Sequence, residues 1–314
     1  MYDMIIYIRI FLPLFVLLSC SDPSLAGFKE KFEDGEFSTR GWYDNTNLVL
    51  SLKEAAPGSK GSAEFIFLQG KQQPISGGAM RRIFKESESV YLSYYVKYCN
   101  NWQGSKRKYH PHEFYIVTNK DSRWVGPARS YLTVYIEQLD LKPRFAIQDS
   151  KNIDINNIHK CLVDYTEKRS VAGCNGDSDN YGFGDCYNVG DVDYRNSKNW
   201  TAKNADITTG KWHKIETFIR LNSVKEGIGK ADGIMKYWLN GQLIMNYNDV
   251  VFRTGQHPDM KFNQLLIAPW IGDGSPTDQT FWVGKLVLSF ESPYSNFDII
   301  LDASNRPSHS CNQQ

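Results

Sequence analysis

The sequence predicts an all-β protein: a sandwich of two antiparallel sheets of jelly-roll type. Three observations lead there. Apolar residues alternate with period two through several short stretches bounded by Gly, Asn, Asp and Pro. The pair Asn240-Gly241 stands between two such stretches, and a type I′ hairpin turn needs positive φ at both of its central positions. Beyond the N-terminal leader, no long stretch carries a helical period. Many short strands, each with one apolar face, bury those faces by stacking two sheets.

In chain order, residues 1–26 open with the apolar run "MYDMIIYIRIFLPLFVLLSC", too short for a comfortable membrane span and read as an export signal. Leu17-Leu18-Ser19-Cys20 is similar to a bacterial lipobox, whose cysteine takes lipid. Ser24-Leu25-Ala26 offers a competing cleavage point for simple secretion. The expectation is export, to the periplasm, the cell surface or the medium, with a membrane contact only through a lipid on Cys20. The sandwich is expected over 28–292, and a polar tail over 293–314.

Within the sandwich, Val90 to Tyr98 sets Leu92, Tyr94, Val96 and Tyr98 on one face. Tyr131 to Glu137 turns Leu132, Val134 and Ile136 inward and presents Tyr131, Thr133, Tyr135 and Glu137. Arg144 to Gln148 buries Phe145 and Ile147 and presents Arg144 and Gln148. Lys214 to Asn222 places Ile215, Thr217, Ile219 and Leu221 inward, with Glu216, Phe218 and Arg220 opposite. Around the Asn240-Gly241 turn, Tyr237 and Trp238 are neighbours on one strand and so point to opposite faces. Trp212 and Trp282 are expected in the core, and Trp238 is left open between core and groove. "FNQLLIAPW" and "FWVGKLVLS" supply two closing strands.

Residues 149–200 break the pattern with a long, polar, glycine-rich connection. Export permits disulfides, and Cys161, Cys174 and Cys186 lie close enough in sequence to supply one. Asp177, Asp179 and Asp185, with Gly182, have part of the spacing of a calcium loop, but Asn188 stands where a bidentate Glu belongs. A disulfide-clamped, solvated acidic loop is the preferred reading, with a structural calcium as the alternative; no cofactor is required.

The chain of 314 residues is 41% hydrophobic, enough to bury a core, and its formal net charge of +1 gives no global pull toward nucleic acid. No glycine-rich phosphate-cradling turn is present, so no nucleic-acid partner is expected. The basic run Gly104 to His112 would suit an anionic polysaccharide locally.

"GKWHKIETFIRLNS", "ADGIMKYWLNGQLI", "VVFR" and "FNQLLIAPWIGDGSPTDQTFWVGKLVLS" resemble the C-terminal half of concanavalin A-like jelly-roll proteins, and "FEDGEFSTRGWYD" and "GGAMRRIF" look like their opening strands. Among these, the chain resembles the alginate and glucuronan lyases around polysaccharide lyase family 14. That resemblance implies a protein acting on a uronate-containing polysaccharide by β-elimination; the alternative is a non-catalytic, glycan-binding surface lipoprotein. Family 14 lyases carry a Ser-x-Arg pair and then a Tyr-x-Tyr strand. Here Tyr131, Thr133 and Tyr135 share a strand face, while the Ser-x-Arg ahead of them, Ser105-Lys106-Arg107, lies in a loop. The closing strand reads Trp282-Val283-Gly284-Lys285 in place of Trp-x-Asp-Asn, and the Glu-x-Asp-x-x-Glu strand of related hydrolases is absent.

A uronate lyase neutralises a carboxylate, removes the neighbouring proton and protonates the leaving oxygen. Tyr135, Arg144 and Gln148 have that chemistry on consecutive strands, and His112 and Tyr115 join them as candidate catalytic residues. Trp238, Lys236 and Arg220 are the candidate substrate-binding residues; Trp238 shares its strand face with Ile234 and Lys236, a mixed environment that suits a groove edge.

Overall fold

The computed structural model describes residues 27–105, 112–118, 123–124, 131–148, 199–255 and 257–294. Its strands form two large antiparallel sheets. The eight-stranded sheet runs β15 (Gln242–Val250), β14 (Gly233–Leu239), β11 (Trp212–Arg220), β6 (Ser89–Tyr98), β17 (Gln279–Ser289), β4 (Ser62–Phe67) and β3 (Val49–Ser51), with β1 (Phe28–Glu30) also pairing with β17. The seven-stranded sheet runs β10 (Asn199–Thr201), β9 (Lys142–Gln148), β8 (Thr133–Leu139), β7 (His112–Val117), β16 (Phe262–Trp270), β5 (Met80–Ser87) and β2 (Trp42–Asp44). A small ribbon, β12 (Val224–Lys225) with β13 (Ile228–Gly229), stands apart.

The alternation of each strand decides which side chains meet between the sheets. Leu92, Tyr94, Val96 and Tyr98 of β6 face Phe114 and Ile116 of β7, Val134 and Ile136 of β8, and Phe145 and Ile147 of β9 in one continuous core. Rings interlock there, with Tyr94 and Phe114 at 4.3 Å between centroids and Phe65 stacked on Phe281 at 4.8 Å. Each such side chain contributes roughly 1.5–3 kcal/mol by leaving water.

Turn chemistry fixes the register. Asn240 and Gly241 adopt φ of 53° and 82°, the expected type I′ pair, and Asn240 Oδ1 accepts the Lys214 backbone N–H at 2.9 Å. A second tight turn joins β8 to β9 through Asp140 (φ 51°) and Leu141 (φ 62°). Neither residue is glycine, and a left-handed Leu costs about 1–2 kcal/mol. Gln138 Oε1 offsets part of that cost by accepting the Leu141 N–H at 2.8 Å.

Trp282 and Trp212, expected in the core, lie half-buried on the outer face of the eight-stranded sheet. Their neighbours took the core: Phe281 and Val283 flank Trp282, and His213 follows Trp212. Trp282 Nε1 instead donates to Glu64 Oε1 at 2.7 Å. The alternation of β17 shifts at Gly284–Lys285, with Lys285 at φ 49°, so that Leu286 and Leu288 return to the core. A Cβ on Gly284 would sit 2.4 Å from the Ala56 Cβ, which is why this position has no side chain.

The predicted export signal, the tail beyond Tyr294, and Cys20, Cys161, Cys174, Cys186 and Cys311 lie outside the described residues. Cys99 is a half-buried free thiol, its Sγ 3.2 Å from the Thr280 backbone N–H.

Candidate active site

The outer face of the seven-stranded sheet is built from residues that alternate with the core set. On β8 these are Thr133, Tyr135 and Glu137, and the antiparallel register sets them opposite Gln148, Ala146 and Arg144 of β9. On the other side of β8, Tyr115 of β7 pairs with Tyr135. Two tyrosines, a glutamine, an arginine and a glutamate are thus neighbours because the strand period is two and the β8–β9 turn is tight.

His112 reaches this face through a break in alternation. Its ring lies 4.8 Å from that of Tyr135 and 5.9 Å from that of Tyr115, whereas the next residue, Glu113, turns inward and accepts the Tyr98 phenol at 2.7 Å. Phe114 is also in the core, so two consecutive residues of β7 face inward. The paired strand β16 shows the matching irregularity between Ile267 and Trp270.

Glu137 ties the cluster together. Its Oε2 is 2.7 Å from His112 Nδ1, and its Oε1 is 3.3 Å from Arg144 Nε. A carboxylate only accepts, so in the neutral imidazole Nδ1 carries the proton and the lone pair is on Nε2. Glu137 is almost wholly buried; the Arg144 guanidinium lies against one of its oxygens and the His112 imidazole donates to the other. Tyr135 donates its phenolic proton to Gln148 Oε1, which orients the amide. The Nε2 of that amide is buried without a hydrogen-bond partner, as is Oε1 of Gln264 on β16. Tyr115 donates to the Ala268 carbonyl at 3.2 Å. Burial, reinforced by the charges of Glu137 and Glu113, holds the Tyr115 phenol well above its ordinary range, so it stays protonated at neutral pH.

Beneath the cluster, Glu113 lies among the core tyrosines Tyr94, Tyr98 and Tyr237. Desolvation raises its pKa from 4.5 to about 8.

The structure therefore brings together all five candidate catalytic residues: His112, Tyr115, Tyr135, Arg144 and Gln148. It keeps the three candidate substrate-binding residues apart from them. Trp238 and Lys236 of β14 and Arg220 of β11 lie on the outer face of the opposite sheet. Trp238 is covered there by the ring of Tyr294, stacked at 4.9 Å. Asp177, Asp179 and Asp185, the proposed calcium ligands, lie outside the described residues. Among the described residues, no group of three or more His, Cys, Asp or Glu side chains is placed to hold a metal. Sequence reading missed Glu137 as a member of the site, although its place on the Tyr135 face was legible, because its partner His112 is 25 residues away.

No family model and no curated protein matches the sequence. Among solved structures, the marine PL-14 alginate lyase from Aplysia kurodai aligns over 85% of this chain and 99% of its own, with 12% identity and a TM-score of 0.50. The chain has the jelly-roll fold of that lyase. Two others align less closely. The alginate lyase vAL-1 from Chlorella virus covers 77% of this chain and 91% of its own at 12% identity and a TM-score of 0.48. The endo-beta-1,4-glucuronan lyase from the fungus Trichoderma reesei covers 78% and 87% at 10% identity and a TM-score of 0.45. At these identities the likeness is one of fold.

Proposed function

We propose that the protein is a polysaccharide lyase that cleaves a uronate-containing glycan by β-elimination on the outer face of the seven-stranded sheet. The observation that carries this reading is the buried Gln148 Nε2, a donor with no partner, beside two tyrosines and an imidazole whose Nδ1 is fixed by Glu137.

Each step of the elimination has a group suited to it. Gln148 Nε2 and the Arg144 guanidinium receive the substrate carboxylate and withdraw its charge, which makes the proton on the adjacent carbon more acidic. His112 Nε2 takes that proton. The electron pair forms a carbon–carbon double bond as the glycosidic carbon–oxygen bond breaks. The Tyr115 phenol, kept protonated by burial, gives its proton to the departing oxygen. Tyr135 holds the Gln148 amide and lies between the other two rings. The export signal read in the sequence would put this activity outside the cytoplasm, where such polymers are met.

One observation favours a second reading, a glycan-binding protein without catalysis. Tyr135 and Gln148 are 1% and 0% exposed, so this arrangement does not present them to a polymer. The test is incubation of the protein with alginate, glucuronan and other polyuronates while following the ultraviolet absorbance of the unsaturated product. The lyase reading expects a rise that is lost in Tyr135→Phe and Arg144→Ala. No rise with any polyuronate, together with retardation of the protein in a glycan-containing gel, would establish the binding reading instead.

A further inference from the structure

The same outer face continues past the tyrosine cluster to the far edge of its sheet. The register runs from Tyr115 of β7 to Leu266 of β16, then to Arg81 of β5 and Tyr43 of β2. Three strand spacings separate Tyr115 from Tyr43, roughly 14 Å. The surface changes character along that row: the cluster end is buried, whereas Trp124 at the edge is 55% exposed.

That tryptophan and the residue before it pack on the sheet edge. The Trp124 ring meets Tyr43 edge-on at 4.8 Å. The guanidinium of the preceding Arg123 lies 4.2 Å from the centre of the Tyr43 ring and 5.6 Å from that of Trp124. The Arg123 backbone carbonyl accepts from both Gln264 Nε2, at 2.9 Å, and the Tyr43 phenol. A buried glutamine thus anchors the turn that carries Arg123 and Trp124, while its own Oε1 has no hydrogen-bond donor. The neighbouring Arg81 is paired with Asp44 at 2.7 Å, whereas Arg123 is exposed and packs against the Tyr43 ring.

We propose that Trp124 and Arg123, seated on Tyr43, form a second subsite for an anionic sugar, holding a uronate residue of the same polymer remote from the Tyr115–Tyr135 centre. The proposal rests on the reading of the protein as acting on a uronate polymer and adds where a distant part of that polymer is gripped. The indole presents a flat apolar surface to the C–H face of a pyranose, and the guanidinium pairs with its carboxylate. The distance makes the grip one for long chains. An oligosaccharide too short to reach from the cluster to the β2 edge would not use it.

The test compares wild type, Trp124→Ala and Arg123→Ala in affinity electrophoresis through gels containing alginate, glucuronan or a neutral glucan, with product absorbance followed in parallel. Trp124 is exposed, so its truncation leaves folding intact, and an unchanged melting temperature checks this. The expected result is about a tenfold loss of polyuronate affinity in each variant, the scale of one stacked ring or one cation contact, with KM on polymer raised and kcat unchanged. Polyuronate binding that depends on Trp124, without product from any polymer, would keep the subsite and remove the lyase reading. Product formation with the same KM in wild type and Trp124→Ala would keep the lyase and overturn the subsite. Absence of wild-type retardation in every polyuronate, or equal retardation in the neutral glucan, would also overturn it.

Discussion

The two outer faces of the sandwich are made from the same materials and do different things with them. The eight-stranded sheet presents Trp238, Tyr91, Glu216, Lys214 and Lys236; the seven-stranded sheet presents His112, Tyr115, Tyr135, Glu137 and Arg144. On the first, the glutamate Oε1 collects Tyr91 at 2.6 Å, Lys214 at 2.9 Å and Tyr294 at 3.1 Å, and the Tyr294 ring lies flat on Trp238. That face is fastened down by the segment that follows β17. On the second, Glu137 spends its two oxygens on an imidazole and a guanidinium, and Gln148 is left with an unused donor. Aromatic and charged content alone therefore does not mark a site in a β-sandwich. What distinguishes the second face is a buried amide donor, Gln148 Nε2, without a partner beside two tyrosines and an imidazole.

The largest effect is expected from removing a phenol from the second face. Tyr115→Phe deletes the proposed acid and keeps the ring, so kcat on polyuronate should fall by about 10²–10⁴, with a melting temperature close to wild type. Trp238→Ala on the first face should do the reverse. Truncating this buried indole, with its stack on Tyr294, should cost about 3–5 kcal/mol in a denaturant titration, while the folded fraction keeps its kcat.

The core between the faces gives a pH signature. Glu113 titrates near 4.5 when unfolded and at about 8 in the fold, so between those values the native state holds a proton that the unfolded chain has released. Its contribution to stability is fully present below 4.5, is lost progressively as pH rises toward about 8, and is constant above that. The slope is at most about 1.4 kcal/mol per pH unit. Glu113→Gln should flatten this part of the stability profile, and a wild-type profile with no such slope would contradict the assignment. The smallest effect belongs to the β14–β15 turn. Asn240→Ala replaces a residue that tolerates φ 53° with one that favours it less and removes the acceptor for the Lys214 N–H, which should destabilise by about 1 kcal/mol in the same titration and leave activity unchanged.

Much of this was legible in the sequence, for a local reason. Alternation told which of Leu132, Thr133, Val134, Tyr135, Ile136 and Glu137 face inward, and the Asn240-Gly241 turn announced its own geometry. The sheet to which a strand belongs depends on pairings far apart in the chain, which is why Trp238 and Tyr135 looked alike as groove residues and ended on opposite outer faces. His112 and Glu137 meet only because β7 and β8 pair, and the two inward residues Glu113 and Phe114 break the very alternation on which the reading relied. The Asp140-Leu141 turn gave no signal, because the Asp is followed by a leucine and not by the glycine that completes the Asp-Gly pattern. Trp282 was assigned to the core by its size, while the period of β17 had already given that place to Phe281 and Val283.

The central claim is that the outer face of the seven-stranded sheet, and not its counterpart, is the catalytic one. The most direct measurement follows product absorbance on a polyuronate for wild type, Tyr115→Phe and Trp238→Phe side by side. The account predicts a rise for wild type and Trp238→Phe and none for Tyr115→Phe. Wild-type rates in Tyr115→Phe, or a folded Trp238→Phe that makes no product, would contradict it.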